Sequence, residues 1–173
     1  MAEIHQMLLL LGSNIPDRLD YLHHAKQLIE SRIGIIKKQS SIYESEPWGF
    51  NANVTFLNRV LWVQTRDKPM EVLAKTQQIE QSLGRKQKTQ KGYASRTIDI
   101  DILFFDGVHI DKPTLTVPHI NLHKRRFTLL PLVEIVPQWI HPVFNKSCYQ
   151  LLEECTDTGK VWIYKNEKVN DEI

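Results

Sequence analysis

The chain has 173 residues, of which 42% are hydrophobic and 24% charged, with a formal net charge of +2 at pH 7. That length suits one domain with a sizeable core, and the composition is that of an ordinary soluble globular protein. So small a net charge demands neither nucleic acid nor a membrane surface as partner, and the apolar run 7–11 is too short for a signal peptide or a membrane span, so a cytoplasmic protein is expected. Cys148 and Cys155 have no second pair to complete a metal site and read as packing residues.

In chain order, 7–11 reads as a buried strand ending at Gly12, and Ser13 or Asn14 can cap a helix whose first turn holds Pro16 and Asp17. Leu19, Leu22, Ala25, Leu28 and Ile29 form its apolar stripe, and Gly34 stops it. A second strand is expected over 35–44, a loop over 45–51 and a long alternating strand over 54–65. Asp67 and Pro69 open a second helix, with Val72, Leu73, Thr76, Ile79 and Leu83 inward and Gly84 at its end. A basic loop, 85–91, leads into the strand 96–105. Asp106-Gly107 predicts a tight hairpin that returns 108–110 antiparallel to that strand. Residues 113–122 read as a loop carrying His119, 125–136 as a helix, 149–154 as a short helix and 161–164 as a strand.

The order β-α-β-β-α-β is that of a ferredoxin-like α+β fold, an antiparallel sheet with helices packed on one face and the other left for a ligand. A single domain over 1–173 is expected, with a motif-bearing core of about 7–142 and a C-terminal extension.

The stretch Arg96-Thr97-Ile98-Asp99-Ile100-Asp101-Ile102-Leu103 carries the most chemistry. On a strand, Ile98, Ile100 and Ile102 face a core, while Asp99 and Asp101 share the opposite face about 6.6 Å apart. Like charges that close repel, and a divalent cation reverses that electrostatics. Magnesium fits, because it takes one or two carboxylates and completes its shell with water and phosphate oxygens. The neighbouring Arg96 and basic loop suggest a polyanion between them, hence a magnesium–nucleotide site. On these residues alone, a half-solvated strand whose polar face carries two aspartates remains an alternative.

Several segments together resemble the 6-hydroxymethyl-7,8-dihydropterin pyrophosphokinase family. They are Leu11-Gly12-Ser13-Asn14, Phe56-Leu57-Asn58, Ile79-Glu80 leading to Gly84-Arg85, the block from Arg96 to Leu103, and Val117-Pro118-His119 leading to Arg125 and Phe127. The resemblance implies transfer of pyrophosphate from ATP to a pterin alcohol with release of AMP, in folate biosynthesis. It implies two Mg²⁺ ions on Asp99 and Asp101, with Arg85 and Arg96 joining that pair as catalytic residues. Its nucleotide-binding set is Gln77, Glu80, Arg85, Lys88, Tyr93, Arg96, Ile102, Thr116, His119 and Arg125. Its pterin set is Ser45, Glu46, Trp48, Phe56, Asn58, Asp99 and Phe127, with the rings as flat walls and the Asn58 amide donating to and accepting from the pterin edge.

Loops 47–53 and 85–93 are expected to act as lids. The expected partners are ATP and the pterin, with no nucleic acid or membrane, and a monomer. The chain departs from the family pattern at Gln87, where an arginine is common, at Tyr93 for a tryptophan, at Ser95 for a proline, at Thr114 for a basic residue and at Phe56 for a tyrosine.

Two other functions fit parts of the pattern. An RNA-binding module on the same topology would stack bases on exposed strand aromatics, but Asp99 and Asp101 occupy those positions. A polymerase-like nucleotidyl transferase would release pyrophosphate instead of AMP.

Overall fold

Alternating apolar strands in the middle of a sheet need a core on each face, and this chain builds both. The computed structural model describes residues 3–48, 54–84 and 97–165. The elements are β1 (His5–Ser13), α1 (Arg18–Arg32), β2 (Gly34–Gln39), β3 (Tyr43–Ser45), β4 (Phe56–Thr65), α2 (Pro69–Ser82), β5 (Asp99–Phe105), β6 (Ile110–Lys112), β7 (Leu115–Val117), α3 (Arg126–Ile135), β8 (Ile140–His141), β9 (Lys146–Ser147), α4 (Cys148–Glu154) and β10 (Val161–Ile163). The main sheet runs β10-β3-β4-β1-β5, with β2 also on β4, and its pairings are antiparallel.

Successive β1 residues feed opposite cores, as period-two geometry requires. Met7, Leu9 and Leu11 pack with Leu22, Ala25 and Ile29 of α1, Val72 and Ile79 of α2, and Ile98, Ile100 and Ile102. Leu8 and Leu10 pack with Val60, Phe104, Leu129 and Leu132 of α3, and Cys148 and Leu151 of α4. Each fully buried leucine or isoleucine is worth roughly 1.5–3 kcal/mol, so β1 is the fold's main apolar strand. The expected α+β sheet is thus present, with α1 and α2 on the face the three isoleucines point to. The opposite face is not bare. α3 and α4 cover its centre, and the end beside Gly12, Asn58 and Asp99 stays open.

Several local expectations are corrected. The first helix begins at Arg18 with Asp17 at its N-cap, because β1 continues through Ser13. The span 35–44 splits into β2 and β3, both paired to β4. Alternation in β5 holds to Ile102 and then shifts phase: Leu8 pairs Phe104 while Leu9 pairs Ile102, leaving Leu103 as the extra residue of a bulge.

The Asp106-Gly107 hairpin does not form. Asp106 takes a positive φ of 47° and spends its carboxylate on the start of β1, accepting from the Gln6 N–H at 2.7 Å and contacting His5 Nδ1 at 2.7 Å. The chain leaves the sheet there, and β6 pairs instead with β7, which lies inside the span expected as a loop. The expected helices over 125–136 and 149–154 and the strand near 161–164 are found as α3, α4 and β10. Both cysteines are free, and burial pushes the Cys148 thiol up to about 12, as suits a packing residue.

Gly34 is needed for close approach. A Cβ there would lie 2.0 Å from the Gln64 carbonyl oxygen, 2.9 Å from its carbon and 3.1 Å from the Thr65 Cα, all backbone of β4. Gly34→Ala must therefore push β2 off β4. We expect a loss of about 3 kcal/mol in urea unfolding, at the upper end for an overpacked site; a midpoint unchanged from wild type would show that β2 yields freely.

Candidate active site

The open end of the sheet is where the polar residues gather. Asp99 pairs with Gly12 and Asp101 with Leu10 across β1–β5, so both carboxylates project from the face that Gly12 leaves clear. They are half-buried, between the buried Ile98, Ile100 and Ile102. β5 is an edge strand, and the amide of Ile100, between the two aspartates, donates to Glu80 Oε2 of α2 at 3.1 Å. Glu80, 5% exposed, therefore ties α2 to the strand at the carboxylate pair.

Next along the sheet, Asn58 of β4 is 2% exposed. Its Nδ2 donates to the Tyr43 carbonyl at 3.2 Å and to Ser45 Oγ at 2.9 Å. A backbone carbonyl only accepts, so Nδ2 and not Oδ1 must face Tyr43, which settles the amide's orientation. Both amide protons are then spent inside the protein, and Oδ1 lies on the Gly12 side, 3.6 Å from where a Cβ on that glycine would stand. On the Gly12 side the amide therefore presents its acceptor.

The far wall is aromatic and cationic. Arg125, at the N-cap of α3, is 7% exposed. Its guanidinium carbon lies 4.5 Å from the Trp48 ring centroid and 5.4 Å from that of Phe127.

His119 follows β7, held by its own N–H donating to the Leu103 carbonyl at 3.1 Å. Its Nδ1 accepts from the Asn121 N–H at 3.2 Å, so a neutral ring carries its proton on Nε2, which faces Asp101 Oδ2 at 3.9 Å. Burial chiefly, and the nearby positive charge of Arg125, push the His119 pKa down to about 4 against the opposing pull of Asp99. The imidazole is neutral at physiological pH.

Ser45, Glu46, Trp48, Phe56, Asn58, Asp99, Asp101, Arg125 and Phe127 line one open cleft, together with Leu10 and Gly12. Those two were not anticipated as lining residues. The available signal was Gly12 itself, since glycine inside a strand marks a close approach.

Other expected residues lie apart from this cleft. Ile102, on the carboxylate strand itself, points its side chain into the core under α1 and α2, so only its backbone is left towards the carboxylate face. Thr116 is half-buried on β7, and Gln77 is exposed on α2. Arg85, Lys88, Tyr93 and Arg96, the whole loop 85–93 and residues 49–53 of the other expected lid lie outside the described residues.

The carboxylate pair fits a magnesium ion. Among the described residues no group of three or more His, Cys, Asp or Glu could hold a metal, so an ion here must draw its other ligands from water and substrate oxygens, as magnesium does. No helix among the described residues is long and apolar enough to cross a membrane.

Comparison with known proteins agrees with this geometry. The family model for 7,8-dihydro-6-hydroxymethylpterin-pyrophosphokinase matches residues 8–137. A 2-amino-4-hydroxy-6-hydroxymethyldihydropteridine pyrophosphokinase of Aquifex aeolicus is 41% identical over 146 residues, covering 84% of this chain and 89% of that protein. One from Bacillus subtilis is 43% identical over 129 residues, covering 74% of this chain and 76% of that protein. A crystal structure of the wild-type HPPK-DHPS of Plasmodium falciparum shares the fold, with a TM-score of 0.70 at 18% identity over 88% of this chain, which spans only 43% of that longer one. The chain belongs to the 7,8-dihydro-6-hydroxymethylpterin-pyrophosphokinase family.

Proposed function

We infer that this protein transfers pyrophosphate from ATP to 6-hydroxymethyl-7,8-dihydropterin and releases AMP, a step of folate biosynthesis. The observation that carries the reading is convergence: a paired carboxylate, a buried amide, two phenylalanines and a buried arginine meet in one cleft from three separate parts of the chain. In the reaction, the pterin hydroxymethyl oxygen attacks the β-phosphorus of ATP, loses its proton, and the bond from that phosphorus to the α-phosphate bridging oxygen breaks.

The protein's part is positioning and charge stabilisation. Phe56 and Phe127 provide flat walls for the pterin, Asn58 Oδ1 accepts from its edge, and Ser45, Glu46 and Trp48 border it. Asp99 and Asp101 would hold two Mg²⁺ ions, which when bound neutralise the triphosphate and fix its geometry. Neutral His119 donates from Nε2 to a phosphate oxygen, and Arg125 supplies a planar fork for another. Arg85, Lys88, Tyr93 and Arg96 complete the phosphate and nucleotide contacts. Thr116, Gln77 and the Ile102 backbone border the nucleotide, and Glu80 holds the carboxylate strand. The reading takes the chain as one cytoplasmic domain, active as a monomer.

The test is AMP formation from ATP and Mg²⁺ with and without the pterin. Pterin-dependent AMP release is expected. Pyrophosphate release, or AMP release indifferent to the pterin, would return the protein to the nucleotidyl-transfer reading.

A further inference from the structure

The family model ends at residue 137, yet the chain returns to the sheet well beyond it. β10 lies outside β3, with Val161 opposite Ser45, Trp162 opposite Glu44 and Ile163 opposite Tyr43. The backbone bonds extend past the ladder: Tyr164 N–H donates to Ile42 at 2.8 Å, and Glu46 N–H to Lys160 at 3.2 Å. On the helix face of β3, one carboxylate gathers everything. Glu44 Oε2 accepts from Arg18 at 2.8 Å and from Thr55 Oγ1 at 2.7 Å, and Glu44 Oε1 accepts from Trp162 Nε1 at 2.9 Å. Burial would raise the Glu44 pKa, but these three hydrogen bonds and the Arg18 charge hold it below the usual carboxylate range.

β3 is only three residues long, and its inner edge carries the two acceptors of the Asn58 amide, Tyr43 O and Ser45 Oγ. Whatever fixes the outer edge of β3 therefore fixes the amide that faces the cleft. We propose that the C-terminal strand is a positioning element for pterin recognition, and that Trp162, through Glu44, is its anchoring residue. The proposal rests on the reading of this cleft as the pterin site. Trp162 touches no substrate and is 42% exposed, so its replacement leaves the core intact. Its indole N–H orients Glu44, Glu44 locks β3 against Arg18 and Thr55, and β3 presents Ser45 and Asn58.

The test compares wild type with Trp162→Phe, which keeps a ring but removes the donor, and with Glu44→Gln, which keeps shape but removes the charge. Two readouts are taken: steady-state constants for each substrate, and the side-chain amide resonances of Asn58 in the ligand-free protein. The expected result is a KM for the pterin raised roughly tenfold, the size of one lost hydrogen bond, with kcat and the KM for ATP unchanged. The Asn58 amide protons shift and exchange faster with solvent. Unchanged Asn58 resonances, or a pterin KM within about twofold of wild type in both variants, overturns the proposal. If wild type shows no pterin-dependent turnover, the functional reading fails, while the Asn58 resonances still decide whether β10 controls the amide.

Discussion

Replacing Asp99 and Asp101 by asparagine leaves a folded protein that has lost its pyrophosphoryl transfer. The two carboxylates stand on one strand face over a cleft and belong to neither apolar core, so the isosteric change opens no cavity and strands no core contact. Substitutions of that kind stay within about 0.5 kcal/mol, which moves the melting temperature of a chain this size by roughly 2 °C. Activity responds differently. A metal-assisted phosphoryl transfer draws several kcal/mol of charge stabilisation from its ion, and each 1.36 kcal/mol is tenfold in rate, so each aspartate is expected to cost about 10³-fold in kcat/KM for AMP release. Excess Mg²⁺ should restore part of the single variants and none of the double. Retention of more than a tenth of the activity in the double variant would move the metal elsewhere and leave the pair as ordinary polar strand residues.

The strand that carries this pair was the most legible part of the chain, because period-two alternation is a local property that needs no partner to be read. Its bulge was not: Leu103 is displaced by a register change set on β1, between Leu8 and Leu9, more than ninety residues away. The same distance defeated the hairpin expected at Asp106-Gly107, although the turn itself forms, with Val108 N–H donating to the Phe105 carbonyl at 3.2 Å. Local turn chemistry favours a hairpin, but the Asp106 carboxylate answers to the Gln6 amide, and nothing near it in sequence says so. Glu80 shows the reverse case. Its helix spacing alone suited a solvated face and only the family resemblance placed it near a nucleotide, but it is buried and accepts from the amide of Ile100. β10 joins the sheet with three residues and no apolar pattern to announce where, so its pairing with β3 could not be read. Roles for single phenylalanines, for Asn58 and for Arg125 came from the resemblance alone, since an isolated residue of those types has a common structural use.

Arg125 is the second residue whose loss is expected to be large, and its surroundings separate two explanations. A guanidinium 7% exposed between two rings is either a packing wedge for Trp48 and Phe127 or a charge held ready beside the carboxylates. Burying a cation costs several kcal/mol before its partners repay any of it, which argues against a wedge that a neutral chain could supply. Arg125→Met keeps most of the stem's contact and removes the charge. Arg125→Lys keeps the charge but cannot spread over two rings or donate a parallel pair of hydrogen bonds. We expect kcat/KM to fall by roughly 10²–10³-fold in the methionine variant, the scale of a lost preorganised donor, with lysine recovering no more than about tenfold. The imidazole of His119 gives an independent reading. Arg125 is second only to burial among the causes that hold its pKa near 4, so removing the charge must move that pKa upward, towards the ordinary histidine value. Titration of the His119 ring by NMR should therefore show a rise in Arg125→Met and little change in Arg125→Lys. Full activity in the methionine variant with the same His119 rise would leave the charge real but idle, and Arg125 would then be a wedge after all.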